Sequence, residues 1–372
     1  MRIVYFTHSL ASCWNHGNAH FLRGVLSELI ARGHDVVAYE PEGAWSLANL
    51  LQDRGEAGLD PYRIAYPELS STRFGPEAAL PPLVEGADLV IVHEWNDHAL
   101  VAELGSLRAA GALWTLLFHD THHRAVSAPE EMRAYDLSGY DGVLAFGETL
   151  SEVYRRWGYR VWTWHEAADT RRFRPPLVEG EREGLVWIGN WGDGERTEEL
   201  ERFLFAPAQA VGLPLDIYGV RYPDAAKATL ARYGARYHGW APNAAAPGIF
   251  ARHLATVHVP RRYYASILPG IPTIRVFEAL ACGIPLVSAP WDDAEHLFTP
   301  GEDYLVAADG EQMAGALRTL AVDPALRATL AARGRATIEA RHSCAHRVDE
   351  LLAIVAMLRP TAPQPATIKD VA

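Results

Sequence analysis

The stretch RVFEALACGIPLVSAP (residues 275–290) reads as an amphipathic helix, a Gly-Ile-Pro turn and a short buried strand. Glu278 sits on the first half of that helix, among Val276, Phe277, Leu280 and Ala281. A carboxylate there can accept two hydrogen bonds from a ribose diol, while the helix N-terminus can face a diphosphate. Arg275 lies three residues earlier on an adjacent helical face and offers a fixed cation to a leaving diphosphate. Arg261 and Arg262, just past a candidate strand at 256–259, are further cations for the same task.

Working outward, short apolar runs alternate with helical-period segments over nearly the whole chain, the pattern of parallel α/β architecture. Candidate strands in the first half are 2–7, 35–39, 89–93, 114–119 and 142–146. Each is a continuous apolar run, as expected for strands covered on both faces. Helices at 19–32 and 98–110 are closed by Gly33 and Gly111, which permit the left-handed turn that stops a helix. After the proline- and charge-rich stretch RRFRPPLVEGEREG (171–184), a second series begins. Its strands are 185–189, 215–218, 236–238, 256–259 and 286–288, with helices at 223–233, 273–282, 311–320, 324–341 and 345–358.

The fold class is therefore α/β, two doubly wound Rossmann-like domains facing across a cleft. The expected divisions are 1–168, 169–345, a helix at 346–358 returning to the first domain, and a disordered tail at 359–372. A chain of 372 residues suits two domains of ordinary size. Its formal net charge of −12 argues against a nucleic-acid partner, which needs basic surface to neutralise phosphates. Cys13, Cys282 and Cys344 are odd in number and widely spaced, so neither a disulfide framework nor a structural zinc site is expected. A reducing cytoplasm fits that cysteine usage. No apolar run approaches the roughly 18 residues needed to span a bilayer, leaving at most peripheral membrane contact. Leu10-Ala11-Ser12-Cys13 has the form of a lipoprotein box, but Thr7, His8 and Ser9 make its upstream segment a poor signal core.

Strand ends supply the remaining candidates, because ligands in such sheets bind beyond the carboxyl edge. His93-Glu94 and His119-Asp120 each close a buried run, so His119, Asp120 and Glu94 are the candidate catalytic groups and His93 a candidate acceptor contact. His16, Gly17, Asn18 and His20 follow the first strand; Asn18 is placed to cap the helix there, and all four are candidate acceptor contacts. HDTHH (119–123) has the spacing of a metal cluster, but no Asp-x-Asp motif accompanies it and no metal is expected. WIGNWGDGER (187–196) is a strand, a glycine-rich turn and a helix start. Gly189 and Asn190 would let backbone N–H groups approach a phosphate, and Arg196 would add charge.

The segment at 275–290 closely resembles the donor-binding signature of GT-B glycosyltransferases, the glycosyl transferases group 1, especially the spore-maturation-protein (CgeB-type) family. In that family the glutamate before Ala-x-Ala-x-Gly-x-Pro contacts the donor nucleotide, and Glu278 occupies its position. YHGW (237–240) resembles the family's nucleobase-bordering element, which would put Gly239 and Trp240 beside the base. His119 matches a histidine that lies near the donor sugar in relatives. HEAADTRRFRP (165–175) resembles the interdomain "Asn-Gly-Val-Asp-x-x-x-Phe-x-Pro" segment through Asp169, Phe173 and Pro175, but His165-Glu166 replaces Asn-Gly. Retaining relatives carry a second glutamate eight residues before Glu278, where this chain has Gly270. The resemblance implies a metal-independent transferase that moves a sugar from a UDP- or GDP-linked donor to an unknown acceptor, without a cofactor. A sugar-nucleotide epimerase, or a weakly catalytic carbohydrate- or nucleotide-binding assembly protein, would share the same pocket.

Overall fold

In a computed structural model the described residues are 1–176, 181–192 and 194–358. The tail expectation at 359–372 lies outside them. Among the described residues, the first half builds a parallel sheet from β1 (Arg2–Phe6), β2 (Asp35–Pro41), β3 (Ser71–Phe74), β4 (Leu89–His93), β5 (Thr115–Asp120), β6 (Gly142–Ala145) and β7 (Val161–Thr163). Its order is β3-β2-β1-β4-β5-β6-β7. The second half builds another from β8 (Leu185–Ile188), β9 (Leu215–Tyr218), β10 (Arg236–Gly239), β11 (Ala255–His258), β12 (Leu286–Ser288) and β13 (Leu305–Val306), in the order β10-β9-β8-β11-β12-β13.

The central strands are the apolar runs of the sequence. Ile3 to Phe6 and Leu89 to Val92 have no exposed surface, because helices cover both faces of the sheet. β3, β7 and β13, which the apolar runs do not reveal, all lie at sheet edges. Their sequences STRF, VWT and LV are too short or too polar to stand out from neighbouring loops. The first helix, Ala19–Ala31, ends as glycine at position 33 implies. Gly33 has φ +83°, and Gly33 N and His34 N donate to Ile30 O and Leu29 O at 2.9 and 3.1 Å.

The last helix, Cys344–Leu358, packs against Ala19–Ala31 of the first domain. Contact is close enough that a methyl group on Gly24 would lie 2.5 Å from Cys344 Sγ. Backbone bonds between Ala168 and both His342 and Cys344, each 2.9 Å, fix the return, and Trp164 Nε1 donates to Arg347 O at 2.8 Å. Among the described residues no helix is long and apolar enough to cross a membrane.

Strand order reverses between β1 and β4 in one sheet and between β8 and β11 in the other. At such a switch point the two following loops diverge and open a crevice at the carboxyl edge. The two crevices face one another, and the space between them is the principal cavity.

Candidate active site

This cavity holds about 940 Å³. The loop after β1 contributes His8 and Asn15 to Asn18, and the loop after β5 contributes Thr121 to Arg124. Opposite them stand Gly189, Asn190 and Arg196 after β8, Arg261 after β11, and Arg275 at the start of the helix Ile274–Ala281. Arg124, Arg196, Arg221, Arg261 and Arg275 reach the wall, against the acids Glu166 and Glu195. In a chain with net charge −12, this local cationic excess is the electrostatic signature of an anion site.

Arg196 is nearly enclosed. It donates to Val259 O at 3.0 Å and to Asn190 O, with its guanidinium 5.2 Å above the Trp187 ring. Burial lowers its pKa to about 10, which leaves it cationic at neutral pH. Asn190 Oδ1 accepts from Val220 N at 2.9 Å and its amide donates to Asn15, tying the two domains together across the cleft. The turns after β8 and β9 touch at backbone level, since a methyl group on Gly219 would lie 2.1 Å from Gly189 O. Arg261 pairs with Glu195 on the cleft wall, whereas Arg262 pairs with Glu199 on an exposed surface and does not line the cavity.

Beside the main cavity lies a chamber of about 90 Å³, lined by Tyr218, Gly219, Trp240 and Asn243 and sharing Asn15 to Gly17 and Arg275 with it. Trp240 has a buried Nε1 without a partner there. Gly239 supports the chamber from behind: at φ +73° it turns its carbonyl to accept from Gly219 N at 2.8 Å, but it does not line the wall.

Glu278 is fully buried, 0 % exposed, and lines neither cavity. Arg275 donates to one carboxylate oxygen; the other accepts from Asn243 Nδ2 at 3.2 Å and lies 3.2 Å from His20 Nδ1. Burial pushes its pKa up, but Arg275, His20 and Asn243 outweigh burial and hold it below the usual value. The carboxylate is thus taken up by these partners and does not reach the cleft, where the ribose diol expected from the sequence would have to meet it. In this structure Glu278 anchors Arg275, and it joins the domains through His20. His20, a candidate acceptor contact, is itself buried, with Nε2 accepting from Asp169 N at 2.9 Å, and it lines neither cavity.

The candidate catalytic trio also lies behind the wall. His119 turns into the core, bonded to the Tyr5 hydroxyl and enclosed by the rings of Phe21, His93 and Trp164. Burial lowers its pKa to about 3, which makes it a weak base that stays uncharged at neutral pH. Asp120 accepts from His122 N at 2.9 Å and from the Tyr154 hydroxyl at 2.8 Å. Glu94 is buried against Arg124. Burial raises the pKa of both carboxyls, and the nearby Asp120 charge raises Glu94 further. His93 donates to or accepts from Thr121 Oγ1 at 2.9 Å and is likewise buried.

Of the loop after β1, His16, Gly17 and Asn18 do line the cavity. Asn18 does not cap its helix: it adopts helical angles, and its amide donates to Thr121 Oγ1 instead. Gly270 has φ +83°, and a methyl group there would lie 2.6 Å from Glu295 Cγ. Any side chain there would be strained at that φ and would have to displace Glu295.

Several wall residues carried no signal in the sequence reading. Trp45 and Trp95 are 44 % and 40 % exposed at the cleft, and Arg124 lies 4.0 Å over the Trp95 ring. Glu166 reaches the wall from the segment joining the domains. Its presence in place of the family's glycine was the available hint. Among the described residues, no group of three or more His, Cys, Asp or Glu is arranged to hold a metal ion. His122 and His123 of the HDTHH run lie with ring centroids 4.0 Å apart and planes tilted by 35°, and His123 bonds Ser127.

Residues 196–353 match the family described as glycosyl transferase-like. The Anabaena protein Alr3699/HepE, solved with UDP and glucose, superposes with a TM-score of 0.65 at 14% identity, over 96% of this chain and 100% of that one. The fold is GT-B. Sucrose-phosphate synthase from Thermosynechococcus elongatus superposes at 0.63, with 15% identity over 96% and 99% of the two chains. An alpha-glucosyltransferase, solved with UDP and a 13-mer DNA, reaches 0.69 with 12% identity over 96% and 100%. No curated protein matches the sequence. The two-domain architecture is thus shared with these structures.

Proposed function

We propose that this protein is a glycosyltransferase that moves a sugar from a uridine-diphosphate sugar to an acceptor hydroxyl, without a metal or cofactor. The observation that carries the reading is the arginine set Arg196, Arg261 and Arg275, placed at the switch point and helix start of the second domain. Fixed cations in a closed cleft stabilise the charge that develops on a departing diphosphate, the task a metal ion performs elsewhere. The glycosyl transferase-like match over 196–353 covers this same half, and relatives solved with UDP share the fold. Within that class, the segment at 275–290 supports the spore-maturation type.

The small chamber receives the base, between Trp240 and the Gly219 turn. At about 90 Å³ it favours a pyrimidine over a purine, hence UDP over GDP. Asn18 and the exposed Trp95, which line the main cavity alone, face the acceptor, while His16 and Gly17 border both spaces. A polynucleotide acceptor is disfavoured by the net charge of −12, although one relative of this fold was solved with DNA. Three free cysteines suit a reducing, cytoplasmic setting. Titration calorimetry with UDP and GDP tests the donor assignment. UDP is expected to bind at least about 10-fold more tightly, a difference of about 1.4 kcal/mol. Equal or tighter GDP binding would reverse the base assignment, and binding of neither would remove the transferase reading.

A further inference from the structure

We infer that Glu166 is the catalytic base, the group that takes the proton of the acceptor hydroxyl during transfer. This rests on the sugar-transfer reading above and names the residue that performs its proton step.

Glu166 lies on the wall of the cleft, 3 % exposed, in the segment that leads from β7 to the second domain. Its Oε1 is buried and has no hydrogen-bond partner. A carboxyl group removed from water without a partner is costly unless a ligand supplies one. The neighbouring acids are engaged: Glu195 with Arg261, Glu94 with Arg124, and Glu278 with Arg275 and Asn243.

The histidines on the wall do not compete for the role. His258 is bonded through both ring nitrogens, to Ser288 and Thr273, and His16 Nε2 is bonded to Ser9 O. Burial, assisted by nearby positive charge, leaves His122 and His123 with pKa values of about 2 and 4. His8 is lowered to about 4 by burial alone. Rings of such low basicity pull only weakly on a hydroxyl proton, so none matches a carboxylate of raised pKa as a base.

The electrostatic surroundings of Glu166 suit a base. Burial first, and the charge of Glu278 on the helix Ile274–Ala281 second, raise its pKa to about 8. Tyr264 lines the cleft from the second domain, as do Arg261 and Arg275, while His122, His123 and Arg124 line it from the first. A base whose pKa lies near the working pH combines an accessible ionised form with a strong pull on the proton.

The step balances as a single displacement. The acceptor O–H passes its proton to Glu166 as the oxygen bonds the anomeric carbon. The bond from that carbon to the diphosphate oxygen breaks, and its electron pair leaves with UDP, whose charge meets Arg196, Arg261 and Arg275. Glu166 later gives the proton to solvent. One displacement inverts the anomeric configuration, an outcome consistent with the absence of a glutamate at Gly270.

The test uses the full chain and Glu166→Gln, with UDP for binding and UDP-glucose as donor. Turnover is read as UDP release with a mixture of simple saccharides, and as hydrolysis, where water is the acceptor. The variant is expected to fold, to bind UDP within about threefold of the parent, and to lose kcat by about 100-fold or more. The parent's kcat/KM should rise with pH through about 8 and this rise should vanish in the variant. Any glycoside formed by the parent should have inverted configuration by NMR, a readout that needs no variant. A variant with kcat within fivefold, or a retained configuration, overturns the assignment of Glu166 while leaving sugar transfer intact. So does a variant whose donor KM rises with kcat unchanged, which would make Glu166 a donor contact only. A parent chain that binds UDP yet turns over no donor, or that binds no UDP, overturns the transfer reading and this assignment with it.

Discussion

Replacing Arg275 with alanine is expected to lower kcat/KM for sugar transfer by about 100- to 1,000-fold, the range seen when one fixed donor to a developing negative charge is removed. Arg275 borders both the main cavity and the small chamber, so it stands where the base-bearing and sugar-bearing halves of a donor meet. Its guanidinium is held by Glu278, three residues on, and therefore does not have to be ordered when the transition state forms. The alanine variant loses this cation and leaves the buried Glu278 carboxylate with Asn243 and His20 alone. Both kcat and UDP affinity should fall, because the diphosphate is present in the ground state and more highly charged in the transition state. Arg275→Lys keeps the charge but not the planar fork, and should recover only part of the loss. Steady-state kinetics with calorimetry on the two variants checks this. A kcat/KM within threefold of the parent in Arg275→Ala would make Arg275 a structural residue.

Glu278→Ala should be the most destabilising single change at the domain junction. The carboxylate is fully buried and engages one residue of the first domain and two of the second. Its removal leaves Arg275 and Asn243 without their acceptor, and breaking a buried ion pair from one side typically costs about 3–5 kcal/mol. Glu278→Gln, which retains an acceptor oxygen, should cost less. The pH dependence has a definite sign. Arg275, His20 and Asn243 together hold the folded carboxyl below the usual glutamate value, despite burial. The stabilisation is therefore present above the unfolded pKa and is lost as pH falls through the folded one. Urea titrations of parent and Glu278→Ala should differ fully at pH 7, and the difference should narrow as pH falls below the ordinary carboxylate range. A difference that grows with acidification would contradict the charged anchor.

Much of the architecture was legible because the central strands are uninterrupted apolar runs, and their covered faces leave no other reading. The edge strands β3, β7 and β13 were not, since an edge strand of two to four residues makes few apolar contacts and has no period of its own. The site was less legible, for reasons of side-chain direction. His119 ends β5 at the correct edge, yet its ring turns toward Tyr5 and Trp164, and strand position alone does not decide between cleft and core. The partner of Glu278 across the domains, His20, lies over 250 residues away in sequence, so no local pattern announces it. Asn18 has the residue type and place of a helix cap, but its backbone is already helical, its side chain caps no N–H, and its amide donates to Thr121 Oγ1. Glu166 stood out only as a departure from a family pattern, and its burial without a partner is a property of the folded chain.

The central claim is that the arginine-lined cleft transfers a sugar from a UDP-linked donor. Its most direct test is a screen of UDP-sugars against mixed acceptors in the presence of EDTA, reading UDP release together with the acceptor-linked product. The account predicts UDP release that rises when acceptor is added, is indifferent to EDTA, and yields a glycoside. Donor consumed or isomerised without an acceptor-linked product, or UDP release abolished by EDTA, would contradict it.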